Sequence, residues 1–479
     1  MSRRRAATKK GLPSGLRGGT SGGVKRTLSL ALLALATPVS AQQIRPSSPQ
    51  PYNHAIAAGY KALTLCEGIF DAGRSEAQIA STELRGIYPE YDAIVPTLPA
   101  TVDRETRVVT VPFDARLAPR RAMWRPRYGC YLSPIGTPVA RANPAAATPV
   151  PLPADPRPWP MGDANIAPRP SASLASLVAR AFDRESFGAE SVTTGVLILK
   201  DGRVIAEQYA PGFGPMVPNR TWSAAKSIAG TLVGIASLSA KIDSAKPANI
   251  PEWRRPGDPR AAITLDNLMR MASGLHSDTA GNRTDAIYFG GTAVTEQATG
   301  WPLEAVPGTR FRYANNDIML VARSLRATLG EARYASLPHD SLFLPLGMAH
   351  TTTGTDWQGN YIISSQVWTT ARDLARLGQF WLQDGVWQGR RLLPAGWMRY
   401  LTTPSGPQPA DGPGYGATMW LFGPKQGLPA GSYSAQGNRG QFVMVIPQHR
   451  LVIVRRGEDP GAARFDIARF SAEVIGATP

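Results

Sequence analysis

Ser223-Ala224-Ala225-Lys226 is the one place in this chain where a serine stands three residues before a lysine. Asn219-Arg220-Thr221 precede it, and Ala225, Ile228, Ala229, Leu232, Val233, Ile235 and Ala236 follow at helical spacing. That pattern predicts a helix beginning near Thr221 or Trp222. Residues three apart share a helix face, so the Ser223 hydroxyl and the Lys226 ammonium meet. The positive end of the helix dipole favours a developing alkoxide and disfavours a protonated lysine. A neutral Lys226 could take the proton of Ser223 and make it a nucleophile toward a carbonyl carbon.

Two later stretches give such a pair company. Phe311-Arg312-Tyr313-Ala314-Asn315-Asn316-Asp317 contains a Tyr-x-Asn, and Ala435-Gln436-Gly437-Asn438-Arg439-Gly440 leads into the alternating run Gln441 to Pro447. In this combination and order, over roughly residues 175 to 475, the chain resembles the serine β-lactamase and penicillin-binding-protein superfamily. It is most similar to the class C type and its esterase and 6-aminohexanoate-dimer-hydrolase relatives. Ile263 to Met269 with Ser273-Gly274-Leu275, and Thr370 to Gly378, carry the likeness between the three elements.

The resemblance implies acyl transfer through a serine ester. Ser223 is then the nucleophile, with Lys226 and Tyr313 sharing proton transfer and Asn315 bonding Lys226 or a substrate amide. The backbone N–H groups of Ser223 and Asn438 become the oxyanion hole, and Gln436, Gly437 and Asn438 line the substrate. The third element departs from the family's pattern. Where relatives place Lys or His, this chain has Ala435, so a fixed cation for a β-lactam carboxylate is missing unless Arg439 supplies it. This favours carboxylic esters or small linear amides as substrates. The alternatives are a β-lactamase or D-amino-acid peptidase, and a receptor that is acylated with little turnover. Trp222, Tyr288, Phe289, Trp368, Tyr415 and Trp420 are candidate pocket walls, and Tyr288-Phe289-Gly290-Gly291 is the candidate mobile flap.

The elements that must hold these residues follow from periodicity. A helix is expected over His54 to Phe70, a short strand over Arg107 to Pro112, and an amphipathic helix over Leu174 to Phe182. A hairpin pairs Thr194–Leu199 with Arg203–Tyr209 about Asp201-Gly202, and strands Gln441–Ile446 and Leu451–Arg456 flank Gln448 to Arg450. A last helix is expected near Ala463 to Ile475. Strands at both ends around a helical middle predict a mixed α/β (α+β) fold: an antiparallel sheet with N- and C-terminal helices and a helical subdomain, β-lactamase/transpeptidase-like. The domain reading is a signal peptide over 1–41, a small N-terminal module over 42–133, a Pro/Ala-rich linker over 134–172, and the hydrolase domain over 173–479.

Of the formal charge of +17 in 479 residues, eight basic residues and no acid lie in 1–41. The rest is scattered, which argues for a solvated surface and against a nucleic-acid partner. Basic residues up to Arg26, the apolar run Leu28 to Thr37 and the small residues Val39-Ser40-Ala41 read as a cleavable secretory signal, placing the protein in the periplasm or outside the cell. The run is too short to span a bilayer. In an exported chain the two cysteines, Cys66 and Cys130, are expected as a disulfide, with two buried thiols as the alternative. Five histidines without ligand spacing give no metal site, and no motif asks for a cofactor. Gly19-Thr20-Ser21-Gly22-Gly23 mimics a nucleophile elbow but lacks a preceding strand. The expected partner is a small-molecule ester or amide.

Overall fold

The computed structural model describes residues 50–138, 152–240, 242–277 and 284–478. The signal-peptide reading of 1–41, with the Gly19–Gly23 motif, falls outside them. Residues 49–479 form one compact unit.

The chain enters through α1 (Gln50–Phe70), followed by strands β1 (Thr101–Asp103), β2 (Val108–Val111), β3 (Arg120–Arg125) and β4 (Gly129–Leu132). These four pair antiparallel in sequence order. Helix α1 is buried nearly all round, with Ile56, Ala57, Ala58, Tyr60, Ala62 and Leu65 all inside. A helix apolar on every side needs cover on every side. One side lies on β2–β4, and a disulfide joins Cys66 of α1 to Cys130 of β4. The other side meets the segment after residue 284. Gly59 makes that approach possible, since a Cβ there would sit 1.8 Å from the carbonyl oxygen of Phe289. The core of residues 50–132 is therefore continuous with that of the residues from Leu197 to Val454.

Helix α2 (Ala172–Arg180) leads into the main sheet: β5 (Thr193–Lys200), β6 (Arg203–Tyr209), β7 (Gly414–Tyr415), β8 (Trp420–Phe422), β9 (Ser432–Gly437), β10 (Gln441–Ile446) and β11 (Leu451–Gly457). The order across the sheet is β7-β8-β9-β10-β11-β5-β6, every pair antiparallel. Both faces are covered, so β5, β10 and β11 read as near-continuous apolar runs. Val196 and Ile198 of β5 pack toward α2 and the C-terminal helix, Ile467–Ala477, while Leu197 and Leu199 face the larger core. That last helix starts four residues later than its periodicity suggests, because the Asp466 side chain caps it by accepting from the Arg469 N–H.

Between β6 and β7 come helices α3 (Ala225–Ser239), α4 (Asn315–Leu329) and α5 (Ala371–Leu382). Part of the Pro-rich stretch is a strap over α5. Arg376, 1% exposed, donates to the carbonyls of Pro160 (2.7 Å) and Gly162 (2.6 Å) and to Asp163 (3.0 Å), and pairs with Asp373 (2.7 Å). Among the described residues no helix is long and apolar enough to cross a membrane.

Candidate active site

The α-helical ladder of α3 does not begin at Thr221 or Trp222. Trp222 has φ +49°, a left-handed backbone that breaks the helix, and Trp222–Ala224 form a single 3₁₀ turn before α3 starts at Ala225. A bulky residue in that region is a strained position, held by its surroundings. Here the Arg220 guanidinium lies 3.8 Å from the Trp222 ring centroid, itself held by Ser365 Oγ at 2.8 Å. Ser223 stands on the strained turn and Lys226 on the first turn of α3.

The end of β9 closes on this turn. A Cβ on Gly437 would lie 2.1 Å from Thr221 O and 3.1 Å from the Ser223 nitrogen, so only glycine fits. That contact sets Gly437 and Asn438 against the Ser223 backbone, in one cleft of about 470 Å³ lined also by Tyr313, Asn315 and Gln436. Ser223, Tyr313, Asn315, Gln436, Gly437 and Asn438 thus share one cleft, with Lys226 bonded to Ser223 beside it.

Lys226 is 1% exposed. Its Nζ is 2.8 Å from Ser223 Oγ, 2.7 Å from Asn315 Oδ1 and 2.9 Å from the carbonyl oxygen of Ser364. None of these partners is charged. Burial drives its pKa well below the usual lysine range, against the pull of the Asp317 carboxylate. A neutral amine has two N–H groups and one lone pair. Asn315 Oδ1 and Ser364 O only accept, so they take both N–H groups, and the lone pair is left facing Ser223. Asp317, 2% exposed, is itself pushed up to about 7 by burial, offset in part by a hydrogen bond from Ser273 Oγ at 2.9 Å.

Tyr313 lies just before α4, its ring centroid 5.0 Å from Lys226 Nζ and 5.3 Å from Trp420. Burial raises its phenol to about 12, and hydrogen bonds with Ser223 and Trp420 pull the other way. At neutral pH the phenol therefore keeps its proton.

Several sequence expectations need correction. Trp222, Tyr288 and Trp420 line the cleft, whereas Phe289 and Trp368 are core, and Tyr415 is buried behind Tyr313 at 5.9 Å. The Tyr288–Gly291 flap is instead a pinned segment. Phe289 is fully buried against Tyr60 (ring centroids 4.8 Å), and Tyr288 Oη is 2.6 Å from Ser364 Oγ. Ala435 is 1% exposed and outside the cleft lining. Arg439 cannot anchor a substrate carboxylate. Its guanidinium donates to Glu458 Oε2 (2.6 Å) and Glu458 O (3.2 Å), and to the carbonyls of Thr82 (3.0 Å), Arg85 (2.9 Å) and Gly86 (3.0 Å). Those five bonds use every N–H it has.

Two contributors carried no sequence signal. Ser364 acts through a backbone carbonyl, which any residue has. Tyr88 reaches the cleft from far outside the three elements. Among the described residues, no group of three or more His, Cys, Asp or Glu is arranged to hold a metal ion.

Comparison with known proteins matches residues 178–469 to the Beta-lactamase family model. The chain is 28% identical over 323 residues to the 6-aminohexanoate-dimer hydrolase of Paenarthrobacter ureafaciens, covering 61% of this chain and 79% of that one. Among solved structures, a penicillin-binding-protein homologue from Caulobacter crescentus aligns with TM-score 0.52 at 16% identity, over 65% of this chain and 99% of its own. A class C β-lactamase aligns with TM-score 0.50 at 14% identity, over 64% and 96%. These last two speak for the fold. With the family model spanning well over half of its length, the chain belongs to the Beta-lactamase family and is a serine hydrolase of that superfamily.

Proposed function

We propose that this protein is an exported acyl-transfer hydrolase that forms a covalent ester on Ser223 and acts on carboxylic esters or small linear amides. The observation that carries the reading is the buried Lys226 Nζ, 2.8 Å from Ser223 Oγ with only uncharged oxygens around it. In the acylation step the Ser223 O–H proton passes to Lys226 as the Oγ–carbonyl carbon bond forms. The carbonyl oxygen, now negative, is held by the N–H groups of Ser223 and Asn438. Collapse breaks the bond to the leaving group, which takes a proton from Tyr313, and Lys226 returns one to the phenol. Water then attacks the acyl-enzyme, gives a proton to the same relay, and Ser223 recovers its own.

The ester or linear-amide preference rests on the third element. Ala435 offers no cation, and the Arg439 guanidinium is spent on Glu458 and three backbone carbonyls. The 6-aminohexanoate-dimer hydrolase relative is in keeping with a linear amide. Export is supported by the Cys66–Cys130 disulfide, a bond that persists in oxidising compartments. The test is to assay the purified protein on p-nitrophenyl butyrate, the linear dimer of 6-aminohexanoate and a chromogenic cephalosporin. The reading expects the ester or the linear amide to be turned over faster than the cephalosporin. A cephalosporin preferred over both would overturn the specificity.

A further inference from the structure

The family model begins at residue 178, yet one wall of the catalytic cleft comes from ninety residues earlier. Tyr88 is half-buried and lines the same cleft as Ser223. Its ring meets Trp222, the residue next to the nucleophile, edge-on at 6.5 Å and 88°, and meets Tyr91 at 6.3 Å and 85°. We infer that the segment Thr82–Tyr91 is a built part of the substrate site, and that Tyr88 is a specificity-determining residue selecting flat, aromatic acyl groups. The inference rests on the acyl-transfer reading of Ser223.

The segment is fastened at both ends to catalytic-region elements. Arg439, in the turn between β9 and β10 and one residue after Asn438, is left-handed at φ +56° and donates to the carbonyls of Thr82, Arg85 and Gly86. Gly461 N–H donates to Gly86 O at 2.8 Å. Beyond Tyr88, the Tyr91 hydroxyl donates to Asp285 Oδ2 at 2.6 Å. A loop held this way presents its side chain in a fixed place, which is what a specificity wall requires. The turn bearing the Asn438 N–H and the loop bearing Tyr88 thus share one clamp. Trp420, Phe442 and Phe465 line the same cleft and add further aromatic groups to it. A planar acyl group in such a cleft gains edge and stacking contacts that an acetyl group is too small to make.

The experiment compares kcat/KM for p-nitrophenyl phenylacetate with that for p-nitrophenyl acetate, in the full-length protein and in Tyr88→Ala, Tyr88→Leu and Tyr88→Phe. In Tyr88→Ala the phenylacetate-to-acetate ratio is expected to fall by roughly five- to tenfold, the size of one lost aromatic contact. Tyr88→Phe keeps the ring and is expected to keep the ratio. Should Tyr88→Ala fail to fold, Tyr88→Leu retains bulk without the ring and is expected to lower the ratio at least about threefold. A ratio that stays the same or rises in folded Tyr88→Ala or Tyr88→Leu overturns the inference and leaves the acyl-transfer reading intact. If the wild type hydrolyses neither ester, the inference falls, and turnover of the linear amide decides the acyl-transfer reading separately.

Discussion

Among the cations buried in the described residues, Arg455 and Lys226 are treated in opposite ways. Arg455 on β11 is 0% exposed and is matched by Asp459, whose two oxygens lie 2.7 and 2.9 Å from its guanidinium, with Thr193 and the Gly440 carbonyl completing the set. Lys226 on α3 is 1% exposed and is given only a hydroxyl, an amide oxygen and a carbonyl. Burial lowers the pKa of both, but Asp459 answers it directly at Arg455, while at Lys226 the Asp317 charge gives only partial relief. An arginine keeps its proton regardless, so the first site is a structural tie. A lysine in the second setting holds its proton less tightly, as the base proposed for Ser223 must. Residue type and partners together set the use: Arg456, 1% exposed, also meets only uncharged oxygens and stays a tie, whereas a lysine so placed can exchange a proton.

Breaking the second site should have the largest effect. Lys226→Ala and Tyr313→Phe are each expected to lower kcat by roughly 10²–10⁴, the ordinary worth of a general acid or base. In the proposed relay the two act as a unit, so the double variant should lose far less than the product of the two losses. Steady-state kinetics on a p-nitrophenyl ester reads this, and multiplicative losses would show that the two act independently.

Breaking the first site should cost stability. Asp459→Asn leaves Arg455 charged and buried, an expected loss of about 3–5 kcal/mol. Urea titration measures it, and a loss below ~1 kcal/mol would show that the carboxylate does not define the clamp. The disulfide comes next. Cys66 and Cys130 close 64 residues of separation, so replacing both with serine is expected to cost roughly 2–4 kcal/mol. Unreduced, denatured protein should show no titratable thiol.

The smallest effect sharpens the comparison through pH. Lys226 is depressed in the folded state and titrates near ~10.4 in the unfolded chain. Between those values the unfolded state binds the extra proton, so the wild type gains stability as pH rises, and the gain ends at the unfolded pKa. The Tm of the wild type relative to Lys226→Met should therefore increase from neutral pH toward pH 10. A flat difference would mean that Lys226 is charged in the fold. Acylation should follow the same ionisation, kcat/KM rising with pH as the amine loses its proton.

Much of this site was legible in the sequence because its signals are local. Three-residue spacing at a helix start puts Ser223, on the 3₁₀ turn, beside Lys226 on α3, and alternation exposes the hairpin of β5 and β6 and the pairing of β10 with β11. What stayed hidden depends on long-range packing. The Ser364 carbonyl that holds Lys226 comes from 138 residues away and has no side-chain signature. Tyr288-Phe289-Gly290-Gly291 resembles a mobile loop by composition, yet its burial was decided by Gly59 and Tyr60 on α1. Helix α3 starts late because Trp222 is held left-handed by contacts that no propensity scale contains.

The proposed role of Ser223 as nucleophile is tested by peptide mapping of the protein after reaction with a fluorophosphonate. One adduct is expected, on the peptide bearing Ser223, and none in a Ser223→Ala variant whose Tm matches the wild type. Undiminished labelling of that variant, or an adduct mapped to another residue, would contradict it.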